Sequence, residues 1–307
     1  MSGRRGAVTS AVTALAPAVW GSTYVVTTEF LPPDRPLLAS TLRALPAGLI
    51  LLLVTRTLPK GSWWWRAVVL GVLNIGAFFS LLFLAAYHLP GGVAALVMSA
   101  QPMIVLVLSS LLLNDRIRAR HLVSCLLGAA GVGLLVLQPG AGLDGIGIAA
   151  GLLGALSMAS GLVLTKKWGR PDGVGLLAFT GWQLAVGGLV LTPFTLAYEG
   201  LPDRLTWSNL GGFAYLGVIG ALVAYALWFR GVARLPALAV SFLSFASPLC
   251  ATVLGYLVLD ETLRPLQLLG AVAVIGAVVL AQSRAAAPPA PRVVRPAGAE
   301  PPRPRRG

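Results

Sequence analysis

Charge is scarce in this sequence. Only 11% of the 307 residues are Asp, Glu, Lys or Arg, and only ten are acidic. Soluble domains carry about 25% charged residues, and a soluble fold so poor in charge has too little polar surface to cover itself. Cysteine and histidine are scarcer still, with two of each. Cys125 and Cys250 both fall in apolar runs and neither has a metal-ligand neighbour, which excludes a disulfide framework and a cysteine-based metal site. His88 and His121 are expected on opposite sides of a membrane. A membrane enzyme needs clustered His, Asp or Cys, and no such set exists, so no catalytic residue, metal or cofactor is expected. A glycine-rich loop ending in lysine is also missing, which argues against ATP hydrolysis.

Apolar residues are abundant. They make up 57% of the chain, and the mean hydropathy is +0.84. Apolar runs of about 20 residues recur from end to end, the length that spans a bilayer as a helix. They do not alternate as barrel strands do. The runs predict ten helices near 9–28, 35–54, 66–87, 93–113, 119–137, 144–164, 175–197, 208–230, 237–258 and 266–283. Arg4 and Arg5 precede the first run as in a signal peptide, but an uncleaved first helix is expected because further spans follow.

The net charge of +13 does not signal nucleic acid, because the bases sit in loops and in the last tail. With a cytoplasmic N-terminus, nineteen of the 23 basic residues fall inside and only Arg35, Arg204 and Arg264 fall in outer loops. The positive-inside rule therefore predicts a multi-pass inner-membrane protein with both termini cytoplasmic. Residues 284–307 hold seven prolines and six arginines without apolar periodicity. They read as a disordered basic cytoplasmic tail resting on anionic lipid.

The chain repeats itself. Shifted by 146 residues, 71–118 align with 217–264 without a gap, and thirteen of the 48 positions are identical. Leu89-Pro90 meets Leu235-Pro236, Pro102 meets Pro248, and Arg118 meets Arg264. Each half holds five helices, and an odd number forces the second half to enter the membrane upside down. The expected fold class is therefore an all-α membrane protein: ten transmembrane helices as two inverted five-helix repeats, 1–140 and 141–283. Such halves can exchange conformations around a midplane site, which is a transporter architecture.

Short motifs sharpen this reading. Trp20-Gly21-Ser22-Thr23-Tyr24, Leu42-Arg43, and the runs Pro90 to Arg118 and Pro236 to Arg264 resemble the EamA family of the drug/metabolite transporter superfamily. The likeness covers roughly residues 10–283. It implies a secondary carrier, most members being exporters of amino acids, metabolites or pigments. A narrower resemblance, to PecM-type exporters associated with the blue pigment indigoidine, rests on 20–29, Leu31-Pro32-Pro33-Asp34-Arg35-Pro36, 43–48, Trp182-Gln183 and 227–231. One departure is Thr28, where related members often carry a basic residue.

The candidate site follows from polar groups in apolar surroundings. Arg43 is the only basic residue placed well within a span, where charge is costly unless it faces a cavity or partner. It is expected to anchor a polar substrate group, against the alternative of a structural arginine bonded to carbonyls. Trp20 and Tyr24 share a helix face and offer aromatic contact. Their counterparts near Met158 and Leu162 are apolar. Under a 140-residue offset Trp182 and Gln183 match Leu42 and Arg43, and Gln183 is expected across the cavity from Arg43. Asn74, Gln101, Tyr225, Ser244 and Ser247 are further substrate-binding candidates or helix glue. Pro102 and Pro248 are expected hinges. Glu29 and His88 are the titrating groups placed to couple protons, with simple exposure at the outer surface as the alternative. Gly147 and Gly151 allow close helix contact, within a monomer or a homodimer. The expected partners are a small-molecule substrate and membrane lipid. The expected function is efflux of a small metabolite by alternating access. Two other readings remain at this point: a sensor or scaffold without transport, and an importer or exchanger with the same fold.

Overall fold

The computed structural model describes residues 3–33, 35–89, 96–136, 144–202, 204–258 and 264–282, and these form ten helical rods. The basic tail and Pro90 lie outside them. The rods are α1 (Gly3–Phe30), α2 (Pro36–Thr55), α3 (Trp63–Gly71, Val72–Gly76 and Ala77–His88), α4 (Gln101–Leu113) and α5 (Ala119–Val136). The second half supplies α6 (Gly145–Trp168), α7 (Leu176–Tyr198), α8 (Trp207–Gly217, Val218–Val223 and Ala224–Arg234), α9 (Ala237–Leu243 and Ala246–Val258) and α10 (Pro265–Gln282). Eight rods are long and apolar enough to cross a membrane, with α4 counted from Leu96, ahead of its break, and Ala119–Leu135 of α5 is a shorter apolar helix. The helical state follows from the solvent, because lipid offers no partner for backbone N–H and C=O groups and a helix satisfies them internally. Polar residues stop the rods. Arg56 and Asn114 end α2 and α4 with φ of 47° and 57°, the left-handed cap that turns a chain out of a helix. Asp144 starts α6 by accepting from Gly147 N at 2.8 Å.

Two rods are irregular at matched places. α3 widens into a π-helical turn at Val72–Gly76 and α8 does so at Val218–Val223. The two turns begin 146 residues apart, the offset of the sequence repeat. A π turn is one residue too many for the α register, taken up as a local bulge. The fourth and ninth spans also break in parallel. The chain turns at Ser99–Ala100 before Pro102 and at Ser244–Phe245 before Pro248. Proline removes a donor and clashes with the carbonyl four residues back, so the break falls just upstream of each ring.

Packing shows the inverted repeat directly. α2 packs on α7 and α5 on α10, each pair made of counterparts. The contact of α3 with α6 is matched by that of α8 with α1, and α4 with α6 by α9 with α1. The crossing of α2 and α7 is reciprocal to the residue. A Cβ on Gly48 would lie 2.6 Å from Ala185 Cα, and one on Gly188 would lie 2.6 Å from Leu45 Cα. Gly131 and Gly270 do the same for α5 and α10, where the added Cβ atoms would meet each other's carbonyl oxygens at 2.9 and 2.7 Å. Small residues are required because lipid gives helices no hydrophobic reason to associate, so they hold by close backbone contact.

Candidate functional site

Arg43 sits on α2 with 8% of its surface exposed. Its Nη2 donates to the Gly220 carbonyl at 3.1 Å, and its guanidinium lies 5.1 Å from the centre of the Phe79 ring. Gly220 lies inside the π turn of α8, where the regular α ladder is interrupted. The same carbonyl accepts from Trp20 Nε1 of α1 at 3.0 Å. Two donors from two helices of the first half thus converge on one oxygen of the second. Trp20 meets Tyr225 at 5.0 Å and Trp228 at 5.2 Å with the rings tilted, and Tyr225 meets Phe79 edge-on at 6.5 Å. Tyr225 and Trp228 are each 1% exposed. The result is an aromatic box with a cation and an indole N–H aimed at one point.

The other half answers with an uncharged network. Gln183 of α7 is fully buried. Its Oε1 accepts from Asn74 Nδ2 at 2.8 Å, and Asn74 Nδ2 also donates to Thr165 Oγ1 at 3.2 Å. Asn74 lies in the π turn of α3, 146 residues before Gly220. Ser157 of α6 donates to the Leu73 carbonyl of that turn at 2.9 Å, much as Trp20 of α1 does to Gly220. Each half therefore sends polar groups from its first two helices to the π turn of the other. Gln183 meets Asn74 of α3, and Arg43 meets Gly220 of α8.

The remaining candidates scatter. Trp182 is buried at one end of the bundle, with Nε1 donating to Thr57 O at 2.7 Å. It lies among Trp63 and Phe179 and connects to Tyr225 only through a relay of rings, Phe179 to Phe229 to Tyr225. Gln101 is buried beside the α4 break, and among the described residues its Nε2 has no hydrogen-bond partner. The Ser244 hydroxyl donates to Ser241 O at the α9 break, and Ser247 is half-buried on α9. Pro102 is buried and Pro248 half-buried. Glu29 is exposed at the end of α1. His88 Nδ1 lies 3.3 Å from Asp144 Oδ1, joining the end of α3 to the start of α6. The side chain of Tyr24 lies outside the described residues. Gly147 and Gly151 face His88, Leu89 and Val97, within the monomer.

Three parts of the box were not singled out from sequence: Phe79, Trp228 and the Gly220 carbonyl. The repeat carried a signal for Phe79, because the 146-residue shift maps it onto Tyr225. A separate cleft of about 440 Å³, lined by Leu113, Asp115, Lys166, Arg234, Leu235, Pro236 and Ala237, opens at the end of the bundle where α4 and α8 finish.

The chain is similar to known proteins. The profile of the EamA-like transporter family matches residues 8–137 and again residues 145–282. Protein PecM of Dickeya dadantii (strain 3937) is 52% identical over 267 residues, covering 87% of this chain and 90% of that protein. The uncharacterized inner membrane transporter YedA of Escherichia coli (strain K12) is 30% identical over 272 residues, covering 85% and 86%. A solved crystal structure at 20% identity superposes with a TM-score of 0.74 and covers 90% of this chain and 97% of its own, a likeness of fold. With a family profile that fits each half in turn, and a membrane bundle built as that repeat requires, the chain belongs to the EamA-like transporters, a membrane transporter family of the drug/metabolite type.

Proposed function

We propose that this chain is a secondary exporter of a small aromatic metabolite bearing a carboxylate or carbonyl oxygen. The observation that carries the reading is the convergence of Arg43 Nη2 and Trp20 Nε1 on one oxygen inside the box of Phe79, Tyr225 and Trp228. The Gly220 carbonyl holds the position that a substrate oxygen takes in the loaded state. The rings then cover the apolar body, which is how pockets of mostly aromatic lining use a few polar groups for specificity. A carboxylate suits the guanidinium best, because charge-assisted hydrogen bonds exceed neutral ones about twofold in strength.

Alternating access fits the matched irregularities. The two π turns and the two breaks before proline give each half the same pair of bending points, and bending points related by the repeat allow the halves to exchange shapes. Both termini are cytoplasmic in this reading, from the basic loops. The cleft beside Lys166 and Arg234 then opens to the cytoplasm, where an exported solute loads. The opposite end is drawn together by His88 and Asp144.

The test is substrate binding by the purified protein, read from tryptophan fluorescence, since Trp20 and Trp228 sit in the box. Aromatic carboxylates should bind, and Arg43→Gln should weaken them roughly tenfold to a hundredfold, the worth of one hydrogen bond to a charged group. Equal binding of the aromatic carboxylates by both proteins would rule out Arg43 as the anchor.

A further inference from the structure

A second arginine of this chain is held in an unusual way. Arg66, on the first turn of α3, lies 5.2 Å from the ring centre of Trp63, 5.5 Å from that of Trp65 and 5.6 Å from that of Trp168. Trp65 and Trp168 meet edge-on at 5.1 Å, which fixes the two indoles as walls. Among the described residues the guanidinium makes no ion pair, and its Nε is buried without an acceptor. Aromatic faces attract the cation and offset part of its desolvation, but they leave hydrogen-bond donors that call for an anion. The segments that meet here, 56–66 and 166–172, carry six basic residues against one acid, Asp172. Beside the arginine, Trp64, Trp65 and Val68 are 55%, 51% and 46% exposed. A cation with spare donors, ringed by indoles and bordered by exposed apolar surface, matches a phosphate with hydrocarbon attached.

We propose that Arg66 with Trp65 and Trp168 forms a binding site for the phosphate headgroup of an anionic glycerophospholipid, whose acyl chain lies along Trp64 and Val68. The place agrees with the chemistry. The site is at the end of α3 and α6, where a membrane-spanning rod meets the headgroup layer and where Trp is the preferred anchor. Guanidinium is also the side chain best suited to phosphate, because its fork matches two oxygens and its plane stacks on rings. This assignment does not depend on the cargo. It predicts that one lipid class stays with the protein when others are washed away.

The test uses the full-length protein in neutral phosphatidylcholine-type detergent micelles, titrated with dibrominated phosphatidylglycerol or dibrominated phosphatidylcholine. Bromine quenches nearby tryptophan. The anionic lipid should quench at roughly fivefold lower concentration than the neutral one, the worth of one basic residue at an anionic surface. Arg66→Gln should abolish that preference, and Trp65→Phe should reduce the quenched amplitude while keeping the preference. Equal quenching by the two lipids in the wild-type protein overturns the proposal without needing any variant. Displacement of the anionic lipid by millimolar inorganic phosphate overturns it too, by assigning the site to free phosphate. An Arg66→Gln protein that keeps its melting temperature and its lipid preference does the same.

Discussion

Arg43 illustrates how a membrane protein keeps a cation in an apolar interior. Its guanidinium donates to a carbonyl and lies against an aromatic face, contacts that lower the cost of burying the charge. Arg43→Lys keeps the charge but loses the planar fork that reaches Gly220 while lying over Phe79. Transport by this variant should fall at least about tenfold, since a hydrogen bond to a charged group contributes on the order of 1.5–3 kcal/mol; initial rates in proteoliposomes measure it. Gly48 makes a steric prediction at the same scale. Gly48→Ala places a methyl group against the backbone of Ala185, and overpacking of this kind costs about 1–3 kcal/mol. Gly211, whose added Cβ would meet nothing within 4 Å, serves as the control: Gly211→Ala should leave the thermal midpoint in detergent unchanged while Gly48→Ala lowers it.

The elements behave as pairs, and the π turns are the feature that the pairing explains best. Each opens a rod where polar groups of the first or second helix of a half arrive: Trp20 and Arg43 at Gly220, Ser157 and Gln183 at Leu73 and Asn74. Because a π turn is a one-residue insertion, deletion of Ile219 should restore a regular α8, draw the Gly220 carbonyl into the ladder and remove the shared acceptor. The expected protein has unchanged helix content by circular dichroism and a substrate-dependent fluorescence change that saturates at lower concentration, because no backbone carbonyl competes for Arg43 and Trp20. Another element-scale prediction concerns the start of α6. The Gly147 N–H bonded to Asp144, with His88 nearby, holds that carboxyl below the usual carboxylate range. A depressed group stabilises the fold at all pH values above the ordinary carboxylate range, and its contribution disappears only as the pH falls through the depressed value. Melting temperatures should therefore hold steady from neutral pH to the usual carboxylate range and fall below it. Asp144→Ala should remove this part of the acid dependence.

How much of this was legible follows from what a one-dimensional pattern can carry. Ten rods and their inversion are written in apolar run length and in a 146-residue echo, both of which survive without geometry. The breaks at Ser99–Ala100 and Ser244–Phe245 follow from Pro102 and Pro248, whose chemistry acts within the turn upstream. The π turns left no such mark, because an extra residue in Val218–Val223 has the same composition as its surroundings. Gln183 shows a different gap. Residues related by the repeat occupy equivalent places, but equivalence does not make them neighbours, and Gln183 meets Asn74 of α3. Phe79 was hidden for a simpler reason, since a ring in an apolar run looks like core until its counterpart Tyr225 is recognised beside Trp20.

At the scale of the whole molecule, two inverted halves of one bundle form a membrane transporter of the EamA type, and the account adds a loaded state in which a substrate oxygen displaces the Gly220 carbonyl from Arg43 and Trp20. Export further requires the halves to exchange shapes. Flux through the reconstituted protein tests both together. Liposomes carrying the protein in one orientation, loaded with a panel of aromatic carboxylates, zwitterions and neutral amides, are followed for release without ATP. Saturable, protein-dependent release of the aromatic carboxylates is expected, abolished by Arg43→Gln in a protein of unchanged melting temperature. Absence of protein-dependent flux across the panel, with or without a proton gradient, or equal flux by the Arg43→Gln variant, would contradict it.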